Sequence, residues 1–109
     1  MPKYLIQASY TAAGVKGLAT DGGSKRRTAA EDAIKSLGGR LEAFYYAFGE
    51  PDVFAIVDLP DNSSAAAMFL ALGASGAVHA KTTVLLTPEE MDQATRRPVT
   101  YRPPGHQMS

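Results

Sequence analysis

Four segments of this chain carry strand patterning, and their order along the chain limits the folds that the chain can adopt. In the first segment, side chains alternate between two faces over eight residues, which is the period-two signal of a β-strand. The second and third segments are rich in aromatic and apolar residues and are joined by a turn, so they form a hairpin. We predict strands at residues 3–11, 40–48, 53–59 and 78–86.

Helical patterning occurs between the first and second strands, between the third and fourth strands, and after the fourth. Thr11, Asp61 and Thr87 stand where N-cap residues are expected, and Thr87 begins a capping box followed by proline. After a break at residues 21–23, the chain restarts a helix at Ser24 or at Thr28, where a second capping box fits the sequence. The predicted helices therefore cover residues 12–19, 24–37 or 28–37, 62–74 and 87–95.

The order βαβ–βαβ consists of two similar halves. Two such halves form an α+β, ferredoxin-like antiparallel sheet with the helices on one face, and the expected strand order is 4-1-3-2. We assign residues 1–96 to this domain. Residues 97–109 form a proline-rich tail without apolar periodicity, which we predict to be extended or disordered.

The sheet face that carries no helices must meet water or another subunit. The side chains assigned to it are too apolar for a wet surface, so we predict a homodimer or higher homo-oligomer formed through this face. Such an assembly leaves a cavity between facing sheets that can hold a small organic ligand. The predicted ligand-binding residues are Gln7, Ser9, Tyr46, Phe54, Asp58, His79 and Lys81. Phe44, Tyr46 and Phe48 join this face only if the register of the second strand follows that of the others. In the alternative interpretation, the polar groups only satisfy one another across a dimer interface.

Several segments together resemble the GYD domain family over about residues 2–95. They are PKYLIQASYT at residues 2–11, GVKGL at 14–18, SLGG at 36–39, EAFYYAFG at 42–49, DVFAIVDLP at 52–60 and KTTVLLTPEE at 81–90. The chain departs from the family's name-giving motif at Pro51, which stands between Gly49 and Asp52 where the family has tyrosine. The resemblance implies a ferredoxin-like fold and a dimeric α+β-barrel assembly, and it implies no particular activity.

The composition excludes several classes of protein. The chain has no cysteine, which excludes a disulfide scaffold, a zinc ribbon and a thiol nucleophile. Eleven basic residues balance eleven acidic ones and tryptophan is absent, so we predict no nucleic-acid partner. The first apolar run is broken at Gln7 and Ser9, and the apolar stretch at residues 65–74 is too short to cross a bilayer. We therefore predict a cytoplasmic protein without a membrane partner.

The residues that can carry chemistry are few. His79 lies inside the predicted domain and can act as a base or a ligand near neutral pH, whereas His106 lies in the tail. A catalytic metal site usually has three protein ligands, so we predict no metal site and no cofactor, and a haem held by His79 is the less favoured alternative. Tyr10, Tyr45 and Tyr46 can supply proton donors, although such tyrosines more often pack in a core or an interface.

These observations leave three hypotheses for function. The favoured one is a homo-oligomeric protein that binds a small organic ligand without acting on it. The second is a cofactor-independent monooxygenase or isomerase of a small organic molecule that uses His79, Tyr46 or Asp58 as its acid or base; its support is an analogy of fold. The third is a structural assembly element whose tail, residues 97–109, docks on a neighbouring subunit.

Overall fold

The chain's elements follow the order that the sequence predicts. A computed structural model describes residues 1–105, and in it the elements are β1 (Lys3–Tyr10), α1 (Ala12–Asp21), α2 (Gly23–Ser36), β2 (Arg40–Tyr46), β3 (Val53–Asp58), α3 (Asn62–Ala74), β4 (Val78–Leu85) and α4 (Pro88–Thr95). The strands form an antiparallel sheet in the order β2-β3-β1-β4. This order is the predicted 4-1-3-2 read from the other edge, so the α+β, ferredoxin-like fold is confirmed.

The helix starts at Thr11, Asp61 and Thr87 are confirmed. The Thr11 hydroxyl accepts a hydrogen bond from the Gly14 amide, the Asp61 carboxylate accepts one from the Ser64 amide, and Thr87 forms a complete capping box. Each of these bonds satisfies an amide that has no partner within its own helix.

The second capping box, predicted at Thr28, is wrong. Helix α1 continues to Asp21, and the break is confined to Gly22, whose φ of 85° is one that glycine adopts without strain. Helix α2 therefore begins five residues before Thr28, whose hydroxyl donates a hydrogen bond to the Ser24 carbonyl instead of capping the helix.

The core lies between the helices and one face of the sheet. Tyr4, Ile6 and Ala8 alternate along β1 and are buried, as the period-two pattern predicts. Ile34 of α2 and Met68 of α3 pack against this face, together with buried side chains of β2 and β3. Burying each large side chain of this kind contributes roughly 1.5–3 kcal/mol, and this burial fixes which face of each strand points toward the helices.

A β-bulge reverses the assignment of two predicted residues on β2. Leu41 pairs with Val57 and Ala43 pairs with Ile56, so Glu42 is an extra residue opposite neither. After this bulge, Phe44 and Tyr46 point to the helix side, where their rings meet edge to face with centroids 5.2 Å apart. The condition under which Phe44, Tyr46 and Phe48 would join the helix-free face is not met, because the bulge shifts the alternation by one and β2 ends before Phe48. The placement of Tyr46 among the ligand-binding residues of that face is therefore wrong.

The turn between β2 and β3 is tied to the central strand. The Asp52 amide donates a hydrogen bond to the Ala8 carbonyl, and the Asp52 carboxylate accepts one from the Tyr10 amide at 2.7 Å. Pro51, which departs from the family motif, stands in this turn after a cis peptide bond.

Beyond α4, residues 97–105 form neither helix nor strand, and their side chains are exposed. Residues 106–109 of the predicted tail, including His106, lie outside the described residues. Within the described part of the chain, no helix has the length and apolar character needed to span a bilayer.

Candidate functional site

The helix-free face of the sheet, called the open face below, consists of rows of side chains that run across all four strands. The register places Gln7 beside Lys81 on one side and Phe54 on the other, and Tyr45 lies beyond Phe54. The next row along β1 is more apolar, and the third carries charges. These rows are Thr83, Leu5, Ile56 and Ala43, followed by Leu85, Lys3, Asp58 and Arg40.

Five of the seven predicted site residues lie together at one end of the open face. Ser9 pairs with His79, and the row of Gln7, Lys81 and Phe54 is adjacent. His79 and Lys81 are exposed, and the other three side chains are half-buried. Among residues 1–105, no hydrogen bond or ion pair joins these five side chains to one another.

Asp58 lies at the other end of the open face, in a cluster of ion pairs. Its carboxylate accepts hydrogen bonds from Lys3 at 2.8 Å and from Arg40 at 3.0 Å, and Lys3 also pairs with Glu42 at 2.6 Å. The bond from Lys3 holds the pKa of Asp58 below its usual value; burial opposes this shift, and the bond from Arg40 adds to it. Asp58 is therefore an ionised acceptor already engaged at neutral pH.

The structure does not bring Asp58 and Tyr46 to the other predicted residues. Asp58 pairs with Lys3, which is six residues from Ser9 along β1, a separation of about 20 Å at the rise of an extended strand. Tyr46 lies on the helix side of the sheet, where its hydroxyl donates a hydrogen bond to the Gly23 carbonyl at 2.8 Å. Within the single chain, the seven predicted ligand-binding residues therefore do not form one cluster.

A cavity of about 390 Å³ lies on the other side of the sheet, between the sheet and α1, α2 and α3. We call it the helix-side cavity. Its floor consists of apolar residues of the sheet such as Ile6, Val53 and Phe44. The helices contribute mainly small residues to its walls, namely Ala13, Gly14, Gly17, Ala29, Ala30, Ala33 and Ala71. These short side chains fill little of the space between the two layers, although Ile34 and Met68 also line the cavity and pack against the sheet.

The N-terminus of α1 is held close to the start of β4, at the wall of this cavity. The Thr11 amide donates a hydrogen bond to the Ala77 carbonyl at 2.9 Å, and the Thr11 hydroxyl donates to the Gly76 carbonyl at 2.8 Å. Gly14 faces the same Ala77 carbonyl so closely that a Cβ atom at this position would clash with it. Glycine is therefore required here by the close approach of two backbones.

A few polar side chains stand at the edge of the helix-side cavity. Arg26 and Asp21 both line it, and their guanidinium and carboxylate groups approach each other to 3.4 Å. Tyr10 also lines it; burial raises the pKa of the Tyr10 hydroxyl, Tyr46 raises it further, and Arg26 acts in the opposite direction. The hydroxyl of Tyr10 is therefore protonated at neutral pH and can donate a hydrogen bond.

The sequence reasoning missed this cavity. The available signal was that α1 and α2 place alanine and glycine at most of the positions that face an apolar sheet.

Comparisons with known proteins place the chain in a family. Among curated proteins, no sequence matches this chain. A family model described as the GYD domain matches residues 4–95, from β1 to the end of α4, which is most of the 109-residue chain. This protein therefore belongs to the GYD domain family.

Proposed function

We propose that this GYD domain protein binds a small organic molecule with an apolar body in the helix-side cavity. The observation that carries the proposal is the cavity itself, which measures about 390 Å³ and has apolar walls with Tyr10, Asp21 and Arg26 at its edge. Ligand pockets typically have volumes from about 300 Å³ upward and combine apolar walls with a few polar groups. The sequence predicted the ligand between facing sheets, and the position of this cavity supports the helix side instead.

Ligand binding in the helix-side cavity can be tested with a substitution whose side chain fills the cavity. Gly17 lines the cavity and has no atom within 4 Å of the place where a Cβ would be, so Gly17→Leu adds a side chain to open space. Gly73 is the matched control, because it also lies within a helix with open space around it but does not line the cavity. Both changes replace glycine by a better helix former and are expected to leave the protein folded.

The probe is the neutral fluorophore N-phenyl-1-naphthylamine, whose emission rises in an apolar site. The wild-type protein and Gly73→Leu are expected to bind it equally, whereas Gly17→Leu loses most of the binding. Equal binding by a folded Gly17→Leu variant would place the probe elsewhere and contradict the proposal.

A second proposal is that the chain forms a homodimer or higher homo-oligomer through the open face. It is supported by the apolar row around Leu5 and Ile56, which continues to Phe54 and to Tyr45, a tyrosine that is 71% exposed in the single chain. Contiguous apolar surface of this kind is typical of interfaces. Five of the predicted residues would then lie at or beside this interface.

Size-exclusion chromatography with light scattering tests this assembly. Ile56→Lys places a charge at the centre of the open face and is expected to yield monomers. Leu70→Lys is the control, because Leu70 is equally apolar and lies exposed on α3, away from the sheet. A monomeric wild-type protein would contradict the proposal. Removal of residues 97–109 in the same measurement tests the assembly role predicted for the tail.

None of the three residues that the monooxygenase or isomerase alternative names as its acid or base lines the helix-side cavity. An acid or base must lie within hydrogen-bond reach of the reacting atoms. His79 lies on the open face, Asp58 is held in ion pairs at its far end, and Tyr46 donates to a backbone carbonyl on the opposite side. The cytoplasmic location predicted from the sequence is retained as part of this proposal.

A further inference from the structure

The lining of the helix-side cavity is mostly apolar and contains few polar side chains. Among the described residues that line it, polar side chains are confined to Tyr10, Asp21, Arg26 and Ser75, and Arg26 is the one cation. Its guanidinium carries five N–H donors. Of these groups, Arg26 and Asp21 approach each other to 3.4 Å and form the charged part of the cavity lining.

The partner of Arg26 within the protein holds it weakly. The nearest oxygen of Asp21 lies 3.4 Å from the guanidinium, beyond the usual range for a charge-assisted hydrogen bond, and both side chains are substantially exposed. A carboxylate brought by a ligand can bind the guanidinium through two parallel hydrogen bonds, which is a shorter and better aligned contact. Arg26 is thus available for exchange from Asp21 to a ligand.

A second donor stands near this position. Tyr46 uses its proton on the Gly23 carbonyl, the Tyr10 hydroxyl is hydrogen-bonded to Tyr46, and Arg26 acts electrostatically on Tyr10. A ligand acceptor would take the proton of Tyr10 from Tyr46, as it would take Arg26 from Asp21. A hydroxyl and a guanidinium that face the same cavity form a donor pair, and the ligand group that matches two donors, one of them cationic, is an anionic oxygen acceptor.

We propose that the ligand class of the helix-side cavity is an organic monocarboxylate, with its apolar body between the sheet and α1 and α2 and its carboxylate bound by Arg26 and Tyr10. This inference rests on the proposed function, since it names the ligand class of the same site. The volume of about 390 Å³ sets the size. A cavity of about 150 Å³ holds a benzene, so a two-ring aromatic acid or a medium-chain aliphatic acid fits.

The test uses two probes of the same shape, 2-naphthoate and 2-naphthalenemethanol. The chain has no tryptophan, so naphthalene fluorescence can be followed without interference from an indole. The wild-type protein is expected to bind the carboxylate at least roughly tenfold more tightly than the alcohol, as hydrogen bonds to a charged group imply. Gly17→Leu should weaken both probes, which places them in the cavity.

Three variants then identify the carboxylate-binding groups. Arg26→Gln should remove the preference for the carboxylate while leaving the affinity for the alcohol unchanged, and Tyr10→Phe should reduce the preference in part. Asp21→Asn should tighten carboxylate binding, because it removes a competing anion. Arg27→Gln is the control, since Arg27 is an exposed arginine of the same helix that does not line the cavity.

The outcomes separate the two proposals. If both probes bind equally and Arg26→Gln changes neither affinity, the ligand class is wrong and the binding cavity stands. Weaker carboxylate binding by Asp21→Asn would overturn the inference as well, because it would give the acid rather than the arginine the leading role. If neither probe binds, the proposed function fails, and this inference fails with it.

Discussion

The ammonium group of Lys3 lies 2.8 Å from the Asp58 carboxylate, directly across the β1–β3 pair, and the second oxygen of the same carboxylate receives Arg40 of β2. Three strands are thereby joined on the open face by one acid that is only 7% exposed. Burying a carboxylate without partners costs free energy of desolvation. The hydrogen bonds from Lys3 and Arg40 offset this cost and keep Asp58 charged.

Replacing Asp58 by asparagine is expected to destabilise the fold. The variant keeps the side-chain volume but loses the negative charge, and its one amide oxygen can accept from only one of the two cations while its NH2 group faces the other. We therefore expect the free energy of unfolding to fall by about 2 kcal/mol. Urea unfolding measures the change. Asp32→Asn serves as control, because Asp32 is exposed on α2, and it should change stability by less than about 0.5 kcal/mol. A loss no larger than that of the control would show that the cluster contributes nothing.

The same carboxylate predicts a pH dependence of stability. The pKa of Asp58 is lower in the folded protein than its ordinary value of about 3.9 in an unfolded chain. Its contribution is therefore fully present above about pH 5, decreases as the pH falls below the unfolded-state pKa, and is lost as the pH falls through the folded-state pKa. The difference in unfolding free energy between wild type and Asp58→Asn should be constant from about pH 5 to pH 8 and shrink in more acidic solution. A difference that grew toward low pH would contradict the assignment.

Two glycines of α1 are expected to respond to alanine in opposite ways. Gly14→Ala places a methyl group against the Ala77 carbonyl, so we expect a loss of about 1–3 kcal/mol despite the better helix propensity of alanine. Gly17→Ala meets nothing within 4 Å and should stabilise the protein by roughly 0.5–1 kcal/mol. Thermal unfolding of the pair checks this, and similar shifts for both would mean that the contact between α1 and the loop before β4 is not as tight as described.

Alanine substitutions at two neighbouring aromatic residues of β2 test the bulge at Glu42. Phe44 packs against the core, so Phe44→Ala should cost about 2–4 kcal/mol. Tyr45 points to the open face and is exposed, so Tyr45→Ala should cost less than about 0.5 kcal/mol in the monomer. Urea unfolding at low protein concentration measures both. The reverse ranking would indicate that β2 pairs without the bulge.

How far the site could be predicted differs from residue to residue. Gln7, Ser9, His79 and Lys81 lie on strands whose alternation is unbroken, so the sequence pattern alone places them on one face and near one another. Tyr46 follows the bulge, and no local pattern indicates which residue of β2 is left unpaired. Asp58 was assigned to the correct face, but its binding to Lys3 and Arg40 depends on the register of three strands.

Local patterns in the sequence are enough to predict the order of the elements, three helix starts and the α+β fold, because alternation, helix stripes and capping residues are local and repeat with known periods. The position of a ligand site depends on how the layers pack. The helix-side cavity exists because short side chains of α1 and α2 face the floor formed by β1, β2 and β3, and its volume depends on the distance between these layers. Contacts between these layers, such as the approach of Gly14 to Ala77, join residues far apart in the chain and leave no periodic pattern in it.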